Sequence, residues 1–172
     1  MLGHGAGGDV GAPDLAAVRK AALAAGVTVV RVTQPYRVAG RRSPAPAGQL
    51  DAAWVAVVRS LPVSKVPLVV GGRSSGARVA CRTAAMLGAV GIVALAFPLH
   101  PPGRPERSRA AELDTGLPTL VVNGDRDPFG VPEPGGPVEL CLLAGEGHNL
   151  RRDPAAVGAA VVEWLARHGW AR

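Results

Sequence analysis

The chain has 172 residues, of which 48% are hydrophobic, and its formal net charge at pH 7 is +6. This length supports one sizeable hydrophobic core, so we predict a single domain over residues 1–172. The positive charge is scattered from Arg19 to Arg172 without a basic block, and only 3% of residues are aromatic, which argues against nucleic-acid binding. The sequence contains no run of 18 apolar residues and no signal-peptide pattern at residues 1–10, so we predict no membrane association and a cytoplasmic location.

Short apolar runs alternate with helical patterns along the chain. Most of the apolar runs lack a polar alternation, which is typical of strands buried on both faces. The predicted strands are 27–32, 67–72, 91–97, 118–123 and 138–143. The predicted helices are 14–25, 49–61, 75–87 and 153–168, with Asp14 and Asp153 as N-caps and Gly26, Gly88 and Gly169 as stops. This alternation predicts a doubly wound, mostly parallel α/β sheet.

The stretch Gly-Arg-Ser-Ser-Gly at 72–76 carries the clearest chemical signal. It fits G-x-S-x-G, begins where a predicted strand ends and precedes a helical pattern. A sharp strand-to-helix turn would strain the backbone of Ser74, and Gly72 and Gly76 would leave room for the neighbouring elements. We therefore predict Ser74 as a nucleophile and the backbone N–H of Ser75 as an oxyanion donor. On this motif alone, a purely structural glycine-rich turn is an equal alternative.

A serine nucleophile needs a base, and the base needs an acid that orients it. Asp125 and Asp127 follow the strand predicted at 118–123, and His148 follows the last predicted strand. The chain order serine, acid, histidine is one in which such triads occur. We prefer Asp127 because Pro128 favours an extended backbone there, and we expect Asp125 to cap the turn after Gly124.

The segment GHGAGG at residues 3–8 is predicted to supply the second oxyanion donor, the backbone N–H of Ala6. His4 would then be a structural loop residue rather than a second base. Candidate substrate contacts are Arg73, Tyr36 and His100. The arginine-rich loops YRVAGRR and RPERSR suit a substrate with a carboxylate or phosphate, but their arginines could equally pair with acidic neighbours.

Taken together, the stretches GHGAGG, GGRSSGARVACR, ALAFPLHPPGRPERSR and RDPFG resemble a family of small lid-less α/β-hydrolases. The family is dienelactone-hydrolase-like in size and is related to animal testis-expressed hydrolase-like proteins. The resemblance covers nearly all of the chain and implies a triad of Ser74, Asp127 and His148. Because such hydrolases usually carry two or more strands before the H-G loop, we expect a sheet truncated at its N-terminus. The segments 27–32 and 67–72 would then lack a partner, and we expect early melting or aggregation unless upstream codons encode an apolar strand.

The resulting functional hypothesis is a serine hydrolase that acts on a small ester, thioester or lactone through an acyl-enzyme at Ser74. No metal and no organic cofactor are needed for this chemistry, and the expected partner is a small-molecule substrate. Two other hypotheses remain: a non-catalytic hydrolase-like interaction module, and an acyltransferase on the same scaffold. The sequence does not indicate an oligomeric state.

Overall fold

Strands and helices alternate along the chain, as the sequence predicts. The computed structural model describes residues 1–62 and 66–172. The strands are β1 (Leu2–Gly3), β2 (Arg31–Val32), β3 (Val69–Arg73), β4 (Gly91–Leu95), β5 (Thr119–Gly124) and β6 (Val138–Leu143). The helices are α1 (Pro13–Ala24), α2 (Pro35–Val38), α3 (Ala47–Arg59), α4 (Ser75–Thr83) and α5 (Pro154–Arg167), with short 3-10 helices at Ala85–Leu87, Pro105–Arg107 and Ala110–Leu113.

The six strands form one sheet in the order β2-β1-β3-β4-β5-β6, and every pairing between neighbouring strands is parallel. Helices α1 and α5 pack together on one face, around Trp164. Helices α3 and α4 pack together on the other face, around Trp54. Helices on both faces of a parallel sheet confirm the predicted doubly wound α/β class. All carboxyl ends of the strands therefore open at one edge of the sheet.

We predicted that the segments 27–32 and 67–72 would lack a partner strand. This prediction is wrong for the residues of both segments that lie nearest the carboxyl edge of the sheet. Leu2 pairs with Arg31 on one side and with Gly71 on the other, so β1 fills the position between β2 and β3 despite its two-residue length. The predicted strand 27–32 is shorter than expected, because β1 pairs with Arg31–Val32 and bonds only the carbonyl of Val30 beyond them, at 2.8 Å from the N–H of Leu2. Residues 27–30 lie instead beside an apolar cavity of about 400 Å³ at the amino-terminal edge of the sheet. The predicted early melting stays a prediction.

The helix ends agree with the sequence signals except at two places. Asp153 caps α5, since its carboxylate accepts a hydrogen bond from the N–H of Ala156 at 3.0 Å. Asp14 is not an N-cap: α1 begins at Pro13, and Asp14 lies fully buried in its first turn. The helix predicted at 75–87 ends at Thr83 and continues only as a 3-10 turn. Gly26, Gly88 and Gly169 have positive φ and end their helical segments as predicted.

Among the described residues, no helix is long and apolar enough to cross a membrane.

Candidate active site

Ser74 lies at the turn between β3 and α4, at the carboxyl edge of the sheet. Its φ of 53° and ψ of −112° fall outside the conformations that L-residues ordinarily adopt. The turn is held in place because the N–H of Ser74 donates a hydrogen bond to the carbonyl of Leu95 at 2.9 Å. The backbone strain expected from the G-x-S-x-G pattern is therefore present, and it projects the side chain of Ser74 out of the sheet.

His148 and Asp127 lie in line with Ser74. The Nε2 atom of His148 is 2.9 Å from the Oγ atom of Ser74, and its Nδ1 atom is 2.8 Å from Oδ2 of Asp127. A carboxylate only accepts hydrogen bonds, so Nδ1 carries the proton and Nε2 is free to accept the hydroxyl proton of Ser74. The side chain of Asp127 is completely buried, whereas that of His148 is 16% exposed. The three groups that the sequence singles out are thus brought into hydrogen-bond contact.

Asp127 is held by two further hydrogen bonds. The backbone N–H of Phe129 donates to Oδ1 at 2.8 Å, and the side-chain amide of Asn123 donates to Oδ2 at 3.3 Å. Asp125 has a different position, since it is exposed and accepts a hydrogen bond from the N–H of Gly145 at 2.7 Å. Asp125 therefore ties the loop after β5 to the loop after β6, rather than capping its own turn.

The glycine-rich segment 3–8 packs against the turn at Ser74. A Cβ atom on Gly5 would lie only 3.4 Å from Cβ of Ser74. No described residue accepts a hydrogen bond from the N–H of Ala6. Ser75 is the first residue of α4, so its N–H lacks an acceptor within the helix. These N–H groups are the predicted oxyanion donors.

His4 has the structural role expected from the sequence. It is buried, and its Nε2 atom accepts a hydrogen bond from the N–H of Gln34 at 3.0 Å. Nδ1 must then carry the ring proton, and it donates to the carbonyl of Gly5 at 2.8 Å. Both ring nitrogens are used, and the segment 3–8 is fixed to the residues that follow β2.

The candidate substrate contacts occupy three different environments. The guanidinium of Arg73 contacts Asp14 and the residues around His148, and only 12% of its side chain is exposed. Tyr36 is also buried, and its hydroxyl donates a hydrogen bond to the carbonyl of Ala6 at 2.8 Å. His100 is half-buried, and its Nδ1 atom lies 2.9 Å from the carbonyl of Pro101. The contact of each of these three side chains with substrate stays a prediction.

Arg41 and Arg42 are exposed and line a groove of about 600 Å³ together with Tyr36 and Gln49. Within the described part of the chain, neither arginine forms an ion pair. The groove adjoins the segment 3–8, because Tyr36 forms part of its wall and binds Ala6. Of the two interpretations left open for this loop, pairing with acidic neighbours therefore finds no support.

Two residues of the site were missed by the sequence analysis. The ring of Phe129 packs on that of His148, with centroids 4.2 Å apart and planes inclined by 32°. Asn123 supports Asp127 and also accepts a hydrogen bond from the N–H of Phe97 at 2.8 Å. An asparagine at the end of an otherwise apolar strand was the available signal for Asn123. Phe129 follows the D-P dipeptide and carried no signal beyond its aromatic side chain.

A sequence-family profile described as an alpha/beta hydrolase domain matches residues 1–140 of this chain. The chain belongs to the alpha/beta hydrolase domain family. The match covers β1 to β6 in part or whole, including the turn at Ser74 and the loop of Asp127. The narrower likeness to dienelactone-hydrolase-like and testis-expressed proteins stays a resemblance.

Solved structures show the same fold. An alpha-beta serine hydrolase homologue from Coxiella burnetii superposes with a TM-score of 0.76 at 20% identity, covering 96% of this chain and 85% of the other. A serine hydrolase without a lid from Xanthomonas campestris gives 0.75 at 22% identity, covering 97% and 81%. Est1E from Butyrivibrio proteoclasticus, solved with ferulic acid bound, gives 0.71 at 18% identity, covering 96% and 88%. A search of curated proteins found no match.

Proposed function

We propose that this alpha/beta hydrolase is a serine esterase that cleaves a small ester, thioester or lactone through an acyl-enzyme at Ser74. The observation that carries the proposal is the continuous hydrogen-bonded line from Ser74 through His148 to Asp127, with separations of 2.9 and 2.8 Å. A nucleophile, a base and an orienting acid in this geometry form the arrangement used for acyl transfer.

In the acylation step, Oγ of Ser74 attacks the carbonyl carbon while its proton passes to Nε2 of His148. The buried carboxylate of Asp127 stays ionised and stabilises the imidazolium that forms. The negative charge on the former carbonyl oxygen is stabilised by the N–H groups of Ala6 and Ser75 and by the N-terminal end of α4. When the carbonyl reforms, the bond to the leaving group breaks, and the leaving group takes the proton from His148.

Deacylation repeats these steps with water. His148 removes a proton from the water, whose oxygen attacks the acyl carbon, and the same two N–H groups stabilise the second oxyanion. The bond from the acyl carbon to Oγ then breaks, and Ser74 regains its proton from His148. The products are the free acid and the unmodified enzyme, so no redox partner takes part.

Neither of the two cysteines has the properties of a nucleophile. Cys81 is buried in α4, and burial raises the pKa of its thiol to about 12. Cys141 lies in β6, and burial raises the pKa of its thiol as well. A thiol becomes a good nucleophile when its pKa is lowered, not raised, so both cysteines suit a packing role.

Labelling with a fluorophosphonate tests the proposal, with p-nitrophenyl acetate turnover as a second readout. The wild-type protein should be labelled on the peptide that contains Ser74, and Ser74→Ala should abolish both labelling and turnover. The matched control is Ser75→Ala, which keeps the backbone N–H and should retain most of both. Equal loss in the two variants, or an unlabelled wild-type protein, would contradict the proposal. A non-catalytic interaction module predicts the second outcome.

A further inference from the structure

Arg73 connects three parts of the site through one side chain. Its Nη2 atom donates hydrogen bonds to the carbonyl of His148 at 3.0 Å and to Oδ1 of Asn149 at 2.8 Å. Its Nε atom lies 2.9 Å from Oδ2 of Asp14 in α1. A Cβ on Gly5 would lie 3.1 Å from Nη1, so the guanidinium also packs against the segment that carries Ala6. The residue adjacent to the nucleophile thus contacts the backbone of the base.

The contact with Asp14 holds the guanidinium at a second nitrogen, Nε. The Asp14 side chain is completely buried, and its other oxygen, Oδ1, accepts a hydrogen bond from the N–H of Leu15 at 2.8 Å. The Nε–H of Arg73 is not aligned with Oδ2, so this contact is an ion pair without a well-formed hydrogen bond. Burial raises the pKa of the Asp14 carboxyl, while the positive charge of Arg73 opposes that shift. Each group therefore offsets the cost of burying the other.

The segment around His148 has no regular secondary structure that could hold it. Between β6 and α5, its first half is tied to the loop after β5, since Gly145 donates to Asp125 and Arg126 donates to the carbonyl of Glu146 at 2.9 Å. At His148 itself, the backbone carbonyl accepts a hydrogen bond from the side chain of Arg73. The backbone of Arg73 is fixed in turn, because it belongs to β3 and pairs with Leu95.

From this geometry we infer that Arg73 is a positioning residue, which sets the distance between the base His148 and the nucleophile Ser74. This inference rests on the proposed function. Arg73 does not touch the reacting atoms; it holds the carbonyl of His148 while its own backbone leads directly into Ser74. A guanidinium suits this role because its N–H groups are fixed in one plane, so several acceptors can be held at once. Lysine would keep the charge beside Asp14 but lose this fixed set of donors.

The test compares Arg73→Met and Arg73→Lys with the wild-type protein. A displacement of about 1 Å at a reacting group can cost about 10²-fold in rate, so Arg73→Met should lower kcat by about that factor and leave KM nearly unchanged. Arg73→Lys should fall between Arg73→Met and wild type. Hydrogen exchange of the peptide that covers residues 144–150 should be faster in both variants, because the segment has lost its contact with the guanidinium.

Arg78→Met is the matched control. Arg78 lies in α4, forms two hydrogen bonds with Glu112 and is 27% exposed, so its loss also breaks an ion pair. This variant should keep wild-type kcat and wild-type exchange at 144–150. If it loses as much activity as Arg73→Met, the effect is a general loss of stability and the inference is wrong.

Two further outcomes separate this inference from the proposed function. If Arg73→Met does not fold, Arg73→Lys decides, since it keeps a cation beside Asp14; wild-type kcat and exchange in that variant would overturn the positioning role. If the wild-type protein is neither labelled nor active, the proposed function fails. The exchange experiment still reports whether Arg73 holds the His148 segment.

Discussion

The carbonyl oxygen of Gly3 lies 2.5 Å from the point that a Cβ on Gly76 would occupy, so β1 and α4 meet through backbone alone. A Cβ on Gly72 would lie 2.6 Å from the same oxygen. Backbone atoms cannot rotate away as a flexible side chain does. The glycines on both sides of Ser74 therefore keep the nucleophile close to the segment that supplies Ala6.

Gly76→Ala should destabilise the protein and disturb the site together. The added methyl group must displace β1 or α4, and such overpacking costs about 1–3 kcal/mol. Denaturation in urea should show a lower free energy of unfolding, and the rate of fluorophosphonate labelling at Ser74 should fall. Gly48→Ala is the control, because Gly48 lies in α3 and a Cβ added there would meet open space. If both variants are as stable as wild type, the close contact is not the constraint described here.

Asp127→Asn should lower kcat by about 10³–10⁴-fold, because an amide at this position no longer fixes the tautomer of His148. The fold should persist, since the side chain keeps its size. Asp125→Asn is an isosteric control at an exposed residue, and its side-chain oxygen can still accept the hydrogen bond from Gly145. Steady-state kinetics on p-nitrophenyl acetate measure both variants. A larger loss in Asp125→Asn would reverse the roles of the two aspartates.

Arg41 and Arg42 of the groove form no ion pair with any described residue, and this predicts a preference for anionic substrates. Arg41 and Arg42 lie beside Tyr36, which binds the segment that carries Ala6. Replacing both arginines by glutamine should lower kcat/KM for a p-nitrophenyl hemiester with a free carboxylate by about tenfold, the effect of about 1.4 kcal/mol of lost interaction. Turnover of neutral p-nitrophenyl acetate should not change. Equal effects on the two esters would show that the groove does not recognise charge.

The local patterns in the sequence predicted the elements that carry their own signal. The turn at Ser74 could be placed because a β-branched run, two glycines and a helical pattern follow one another within ten residues. Asp153 and the stop glycines could be placed because caps depend on neighbouring residues alone. The edge of the sheet at which Asp127 and His148 lie could also be predicted, because the carboxyl ends of parallel strands meet at one edge.

Features that depend on distant partners could not be predicted in this way. Leu2 and Gly3 are too few to show a period, and their role in the sheet follows only from their pairing with β2 and β3. The pattern G-x-S-x-G fixes the place of Arg73 in the chain but not the direction of its side chain, which is set by Asp14 and His148. Asp14 itself resembles a cap in sequence, yet it is buried beside that guanidinium.

Tyr36→Phe tests whether the proposed oxyanion donor, the N–H of Ala6, depends on the hydrogen bond that Tyr36 donates to the carbonyl of Ala6. The hydroxyl of Tyr36 donates to the carbonyl of Ala6 at 2.8 Å, and this bond orients the peptide group next to the Ala6 N–H. Complete loss of an oxyanion donor costs about 10²–10³-fold in kcat, so loosening one donor should cost less, about tenfold, with little change in KM. The control is Thr83→Val, which removes a buried hydrogen bond from a hydroxyl to the carbonyl of Val79 within α4. Both variants should lose similar stability, but only Tyr36→Phe should slow p-nitrophenyl acetate turnover. Unchanged kcat in Tyr36→Phe would mean that Ala6 is held, or the oxyanion is bound, by other groups.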